Sequence, residues 1–536
     1  MKLSDFTPLK RDWPVLLLLV AVTLAVYGQI FGQEFLINWD DNLYVTNNET
    51  VRGFSLLHVR EAFSHFYVGN YAPVQMLSYM LDYTLWGEWA PGFKLTNLLL
   101  HASNGYLLYL LFRRLGVQTA ASLFASFLFL LHPVQVESVA WVSERKTVLA
   151  MFFFLLAILL FDFYREQGGR RWYCTSLVAC ILALFSKSVT VILPFTLLLL
   201  EISRPTEGRP RRWPVELIPF LLAAAVMAVV GVASQAAEYG GGRAAYISGS
   251  LLNNLLTMQP VFVRYLTLIF WPLHLSVVYK PPIKTAFDVE VILSALLLAA
   301  LVGLVLFTFR RHRLFFLGTS LFLLGLVPVS QIIPLSTLMQ DRYLYFPMVG
   351  VALLAAVAYE AAEAGLAGRK RWLVFCCYGL LLPVGALAWQ QTAVWQNSRT
   401  LWSDAVAKVP QSKQAWFLFA QTCHDLNDTV CAERAYLEVL ARAPSDADAL
   451  GGLGLLYGEK GELAKSRQYL TRLVDIRPWD GKALFNLGYC CFLSGDDAAA
   501  KVFLERALVQ NGKKDANTRL VLQQIRDRAG QDGVKR

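Results

Sequence analysis

Two adjacent carboxylates, Asp40 and Asp41, stand in the stretch Phe35-Leu36-Ile37-Asn38-Trp39-Asp40-Asp41-Asn42-Leu43-Tyr44-Val45, directly after an apolar run from Pro14 to Phe31. An acid pair just outside a membrane span can take the proton of a hydroxyl, or hold a divalent cation such as magnesium or manganese, beside a lipid-borne substrate. Trp39 and Tyr44 give the same stretch a plainer meaning, an aromatic belt at headgroup depth with a polar turn. A second dense cluster is the run from Leu131 to Lys146, where His132, Glu137, Glu144, Arg145 and Lys146 share one tight turn. Arg145 and Lys146 suit a phosphate or diphosphate, with Glu137 holding them in place; a structural ion-pair network is the alternative.

Membrane helices must position these groups. With 536 residues, 56% hydrophobic and 16% charged, and a mean hydropathy of +0.45, the chain is too apolar for a soluble protein and reads as an integral membrane protein with a soluble part. Apolar runs near 14–31, 94–112, 119–137, 147–164, 172–186, 188–202, 214–234, 289–309, 314–333, 343–363 and 372–392 fit the roughly 20 residues that cross a bilayer core. The first is expected to be retained as a span, since no small-residue cleavage signal precedes the acid pair.

The cationic loops Lys10/Arg11, Arg113/Arg114, Arg170/Arg171, Arg204 to Arg212, Arg310 to Arg313 and Arg369 to Arg371 fall on one side of such an eleven-span bundle, which the positive-inside rule makes the cytoplasm. The net charge of +10 resides largely there, which argues against a nucleic-acid partner and for membrane lipids. The apolar segment from Leu251 to Tyr279 contains Pro260, Arg264, Pro272 and His274 and reads as interfacial or re-entrant on the outer side. The outer loop 32–92 is expected to carry an interfacial helix through Tyr71 to Tyr83. Gly240 to Gly242 is a flexible loop, or more weakly a phosphate cradle.

This topology gathers Asp40, Asp41, His132, Glu137, Arg145, Lys146, Lys187, Arg264 and Arg342 on the outer face. Cations there run against the insertion bias. Snorkelling to headgroups is their ordinary explanation, and binding of a lipid phosphate the chemical one.

After the last span the composition changes. Pro410, Pro444 and Pro478 recur every 34 residues, the tetratricopeptide period. The register holds through Trp416, Leu450 and Leu484, and through the small residues Ala432, Ser466 and Ala500. Repeats near 413–446, 447–480 and 481–514 follow a half repeat, so the expected domains are 1–393 in the membrane and 394–536 as repeats. The eight cysteines lack zinc spacing and read as packing residues, although an oxidising compartment permits a Cys423–Cys431 bridge.

The segments Asn38-Trp39-Asp40-Asp41, Phe93 to Tyr109 with Asn97, His101 and Asn104, His132-Pro133 through Arg145-Lys146, Arg264-Tyr265 through Trp271-Pro272, and Asp341-Arg342-Tyr343-Leu344-Tyr345, in that order and ending in repeats, resemble the bacterial relatives of the transmembrane and tetratricopeptide-repeat-containing O-mannosyltransferases. The resemblance implies an all-α, polytopic, C-type glycosyltransferase-like bundle of about eleven spans with a C-terminal tetratricopeptide-repeat α-solenoid. It further implies an enzyme taking a polyprenyl-phosphate sugar as donor and a protein or peptide as acceptor, the latter through the repeats. Asp40 or Asp41 would be the base or the metal ligand. Arg145, Lys146, Arg342, Arg264 and Lys187 would hold the lipid phosphate, with His132, Glu137 and His101 in support. The chain departs from the family pattern at Ala72, Thr147 and Ser188. The expected location is a bacterial inner membrane, N-terminus cytoplasmic and repeats periplasmic. The competing expectations are a non-catalytic membrane scaffold that displays its repeats and a transporter of a lipid-linked substrate.

Overall fold

The computed structural model of this chain describes residues 12–204, 213–238, 245–365, 370–512 and 515–534. The glycine run 240–242 and the cationic residues Lys10, Arg11, 205–212 and Arg369 lie outside them. The described residues are helical throughout, apart from loops and one isolated bridge between Tyr67 and Asn70. They form two compact units, Met1–Leu401 and Trp402–Arg536.

Among the described residues of the first unit, six helices are long and apolar enough to cross a membrane: Trp13–Gly32, Val142–Gln167, Ile218–Ala236, Val289–Thr308, Pro347–Gly365 and Arg371–Val394. The bent pair Thr119–Leu131 and Pro133–Ala140 makes a seventh if it counts as one span, and Ser188–Ser203 and Arg313–Val329 are shorter apolar helices. The chain is therefore a multi-pass membrane protein.

Two other expected crossings have physical reasons for falling short of that test. Arg170–Leu184 has only 15 residues. Ala90–Arg114 carries Lys94, Asn97, His101 and Asn104 on its buried side. One of those polar groups, Asn97, serves the irregular backbone around residues 132–144. Asn97 Nδ2 donates to the carbonyls of Val139 (3.2 Å) and Trp141 (3.0 Å), and Asn104 Nδ2 to that of Val148 (2.9 Å). Non-helical backbone persists inside a membrane protein only where neighbouring protein groups satisfy it in this way.

The Leu251–Phe270 helix, expected to be interfacial, contains Pro260 and is not among the crossing candidates. The outer loop folds into Leu56–Ser64 and Pro73–Trp86, the second lying where an interfacial helix is expected. Arg313–Leu326 and Pro347–Gly365 approach through Gly318 and Gly350, where a Cβ on Gly350 would overlap the facing backbone. Small residues at such a contact let membrane helices pack backbone to backbone. Asp162, the most obvious acid within an apolar run, is paired with Arg114 and Arg204.

The second unit stacks helix hairpins: Lys413–Asp425 with Thr429–Arg442, Ala447–Glu459 with Leu463–Ile476, and Gly481–Leu493 with Asp497–Asn511, followed by Ala516–Val534. Each pair closes over a small residue. Gly454 lies under Leu470 and Gly488 under Leu504, and Ser466 Oγ donates to the Gly454 carbonyl at 2.7 Å. Ser412, Asp428, Asp446, Asp480 and Asp496 cap helix N-termini through their side chains. Cys423 and Cys431 form a disulfide across the first hairpin, so for this pair the bridge replaces the packing expectation.

Candidate functional site

The acid pair sits on a loop pinned to the final membrane helix and to the 141–146 turn. Gln29 Nε2 donates to Trp389 O (2.8 Å), Gln33 Nε2 to Thr392 O (2.7 Å), and Glu34 N to Gln396 O (3.0 Å). Asn38 adopts the left-handed conformation, φ +60°, which Asn tolerates better than most residues. This turn carries Trp39 onto Trp141, ring centroids 4.0 Å apart and nearly parallel, with Trp395 beyond.

The two carboxylates have different surroundings, and neither is fully exposed. Asp41 is completely buried. Its oxygens accept from Leu36 N (3.0 Å), Ser143 N (3.1 Å) and Ser143 Oγ. Asp40 is half-buried and makes no hydrogen bond or ion pair among the described residues, although Lys146 and Arg342 act on it through space. Burial raises its pKa and those two cations oppose the rise. A carboxylate that is desolvated, unpaired and flanked by cations is arranged to accept a proton, whereas Asp41 is arranged to hold a loop.

Three cations converge nearby on Glu144, which is almost wholly buried. Lys187 Nζ lies 2.9 Å from Glu144 Oε2, Lys146 Nζ 3.5 Å from Oε1, and Arg342 Nε 3.4 Å from Oε1. Thr147 Oγ1 donates to Glu144 and accepts from Lys187 Nζ at 2.6 Å. Glu137 grips Arg342 through the guanidinium and through the backbone N–H at 2.9 Å. Arg342 also stands 5.4 Å from the Trp141 ring and Lys146 5.0 Å from the Tyr44 ring, each over its face. Burial lowers the Lys187 pKa to about 8, with Glu144 opposing the fall.

Not every expected cation joins this cluster. Arg145 points the other way and is fully buried. Its guanidinium is consumed by Asp82 (2.6 Å), the Phe93 carbonyl (2.6 Å), Asn97 Oδ1 and Ser78 Oγ. Its expected part in holding a phosphate is therefore replaced by a structural one, because the guanidinium is fully buried and four of its five N–H donors are taken within the protein. Arg264 is exposed, 5.5 Å from the Tyr279 ring, whose hydroxyl donates to Asp341. His132 Nε2 donates to the Ile269 carbonyl (2.9 Å) and His101 Nε2 to that of Leu130 (3.1 Å). Their Nδ1 atoms accept from Val134 N and Tyr345 OH respectively. Both histidines are thus held as structural supports.

Ser143 emerges as a site residue that sequence reasoning left out, and Glu144 and Thr147 as residues it noted without giving them a place in the site. The signal for Glu144 was its place beside the Arg-Lys pair.

Among the described residues no three His, Cys, Asp or Glu side chains converge as a metal site. Asp41 already accepts three hydrogen bonds, and Asp40 stands alone between cations. These residues do not fit the divalent cation expected of the pair.

The fold and site together define a multi-pass, all-helical membrane protein with an acid–cation site and a solenoid of helix hairpins; residues 447–478 match the tetratricopeptide repeat family. By sequence the chain is related to the transmembrane and tetratricopeptide-repeat-containing O-mannosyltransferases. It is 23% identical to a protein O-mannosyl-transferase of Caenorhabditis elegans, over 80% of this chain and 63% of that protein. It is 22% identical to protein O-mannosyl-transferase TMTC4 of Mus musculus, over 77% and 64%. The chain thus spans less than two thirds of the length of these curated relatives. The crystal structure of ArnT from Cupriavidus metallidurans bound to undecaprenyl phosphate aligns with a TM-score of 0.38 and 15% identity, over 82% of this chain and 80% of that one.

Proposed function

We propose that this protein is a membrane glycosyltransferase that moves a sugar, by the names of its relatives mannose, from a polyprenyl-phosphate donor to a hydroxyl of a protein or peptide. The observation that carries this reading is the unpaired, half-buried Asp40 carboxylate beside Lys146 and Arg342. In one displacement the acceptor oxygen bonds to the anomeric carbon and the bond from that carbon to the phosphate oxygen breaks. The hydroxyl proton passes to Asp40. The second negative charge that develops on the lipid phosphate is met by Lys146, Lys187 and Arg342, whose positions are already fixed by Glu137 and Glu144. The repeats present the acceptor.

The direct test supplies purified protein with polyprenyl-phosphate mannose and a Ser/Thr-rich peptide, and follows release of polyprenyl phosphate. Lys146→Ala is expected to slow release by about ten- to a hundredfold, since one desolvated charge is removed from the developing phosphate dianion. Equal rates in the two proteins would remove the phosphate role.

The reading places the site and the repeats outside the cytoplasm, in a bacterial inner membrane with eleven crossings. The Cys423–Cys431 disulfide supports that side, because such bonds persist in oxidising compartments. A reporter active only outside the cytoplasm should be active when fused after Gln391 and silent when fused at Arg171 or Arg311. Activity from either of the latter two would reverse the topology.

A further inference from the structure

Glu144 is the one described side chain that lies within 3.5 Å of all three cations, Lys146, Lys187 and Arg342. It stands just before the Arg145–Gln167 helix, while its partners come from three separate segments: this helix, the turn before Ser188, and the turn Asp341–Leu344. Without a shared anion, three desolvated like charges would repel each other, and each lysine could relieve the repulsion by losing its proton. Glu137 does not substitute, since it is taken up by Arg342 alone. Asp40 reaches no cation by hydrogen bond.

We infer that Glu144 is a positioning residue: it gathers Lys146, Lys187 and Arg342 into one anion site and keeps Lys187 cationic at neutral pH, so that a phosphate presented from the membrane meets three charges rather than two. This rests on the reading that the cluster holds a lipid phosphate, and it adds a pH dependence which that reading lacks.

The charged groups that act on Lys187 are Glu144, which favours its cation, and Lys146 and Arg342, which oppose it. Glu137 stands behind Arg342. Burial already brings the Lys187 pKa down to about 8. Removing the Glu144 charge takes away its main support, so the pKa must fall further and the proton is lost at lower pH. In the intact protein, phosphate binding should therefore weaken as pH rises past about 8. In Glu144→Gln the same loss should set in about one pH unit earlier, which makes affinity about threefold weaker at pH 7.5 and leaves it near normal at pH 6.

The experiment measures binding of undecaprenyl phosphate to the full-length protein in detergent from pH 6 to 9, with inorganic phosphate as the comparison probe. In parallel, competitive amine labelling follows the titration of Lys187 itself. Lys187→Arg cannot lose its proton in this range, so it should flatten the profile, alone and in combination with Glu144→Gln. The inference is overturned if Glu144→Gln leaves the Lys187 titration unchanged, or if it binds the lipid more tightly at every pH, which would make Glu144 a competitor of the phosphate. Should Glu144→Gln fail to fold, the comparison of Lys187→Arg with the unaltered protein decides, because identical profiles would show that Lys187 does not titrate at the site. Absence of lipid binding at every pH, with the labelling shift present, would overturn the phosphate reading and leave the positioning role standing.

Discussion

Asp40→Asn is expected to lower sugar transfer by about 10²–10⁴-fold while the protein unfolds at its usual temperature. The amide matches the carboxylate in shape and removes only its capacity to take a proton. No hydrogen bond is lost with it, because Asp40 makes none among the described residues. Asp41→Asn should behave differently. An amide cannot accept from Leu36 N and from both donors of Ser143 at once, so a buried donor is left facing an NH₂ group, at a cost of about 1–3 kcal/mol. Its thermal unfolding should fall, and transfer should fall with it because the loop that carries Asp40 loosens. Transfer assays with melting curves on both variants separate the two roles. A destabilised Asp40→Asn with a thermally intact Asp41→Asn would exchange them.

The second large effect is on stability. Arg145→Ala should destabilise the membrane unit by about 3–5 kcal/mol, because it leaves the Asp82 carboxylate buried and unpaired. Arg145 and Asp82 are essentially inaccessible to solvent and bonded at 2.6 Å. They join the outer-loop helix Pro73–Trp86 to the helix that begins at Arg145. Asp82→Asn together with Arg145→Met should recover much of the loss by removing both charges. A fully stable Arg145→Ala protein with impaired donor use would restore Arg145 to the phosphate site.

The contrast between Arg145 and Lys146 shows where sequence stops being informative. Successive residues on a helix point about 100° apart, so of two neighbouring cations one meets Asp82 and Asn97 and the other Glu144 and Tyr44. Nothing in the dipeptide says which. The same holds for Asp40 and Asp41, whose difference is made by Ser143, more than a hundred residues downstream. Composition and period are local or regular, and they showed the membrane unit and the 34-residue register of Pro410, Pro444 and Pro478 directly. Lys146, Lys187 and Arg342 stood out in the sequence as cations expected against the insertion bias. Their convergence on Glu144 did not, because it depends on three segments meeting. The polar side of Ala90–Arg114 was a further thing the sequence left open: Asn97, His101 and Asn104 stand in an apolar run, and their partners, the carbonyls of Val139, Trp141, Leu130 and Val148, all lie on other elements.

The stacked indoles of Trp39 and Trp141, 4.0 Å apart with Trp395 close behind, give the site an optical property of its own. Electronic transitions of aromatic rings so close and so nearly parallel couple, and in a chiral setting coupled transitions produce a circular-dichroism couplet that isolated tryptophans lack. Trp39 belongs to the acid loop and Trp141 to the turn that leads into Glu144 and Lys146. The couplet of Trp39 with Trp141 therefore exists only while the Asp40 loop is seated against the turn, and its amplitude measures that seating in solution, without substrate and without knowledge of the acceptor.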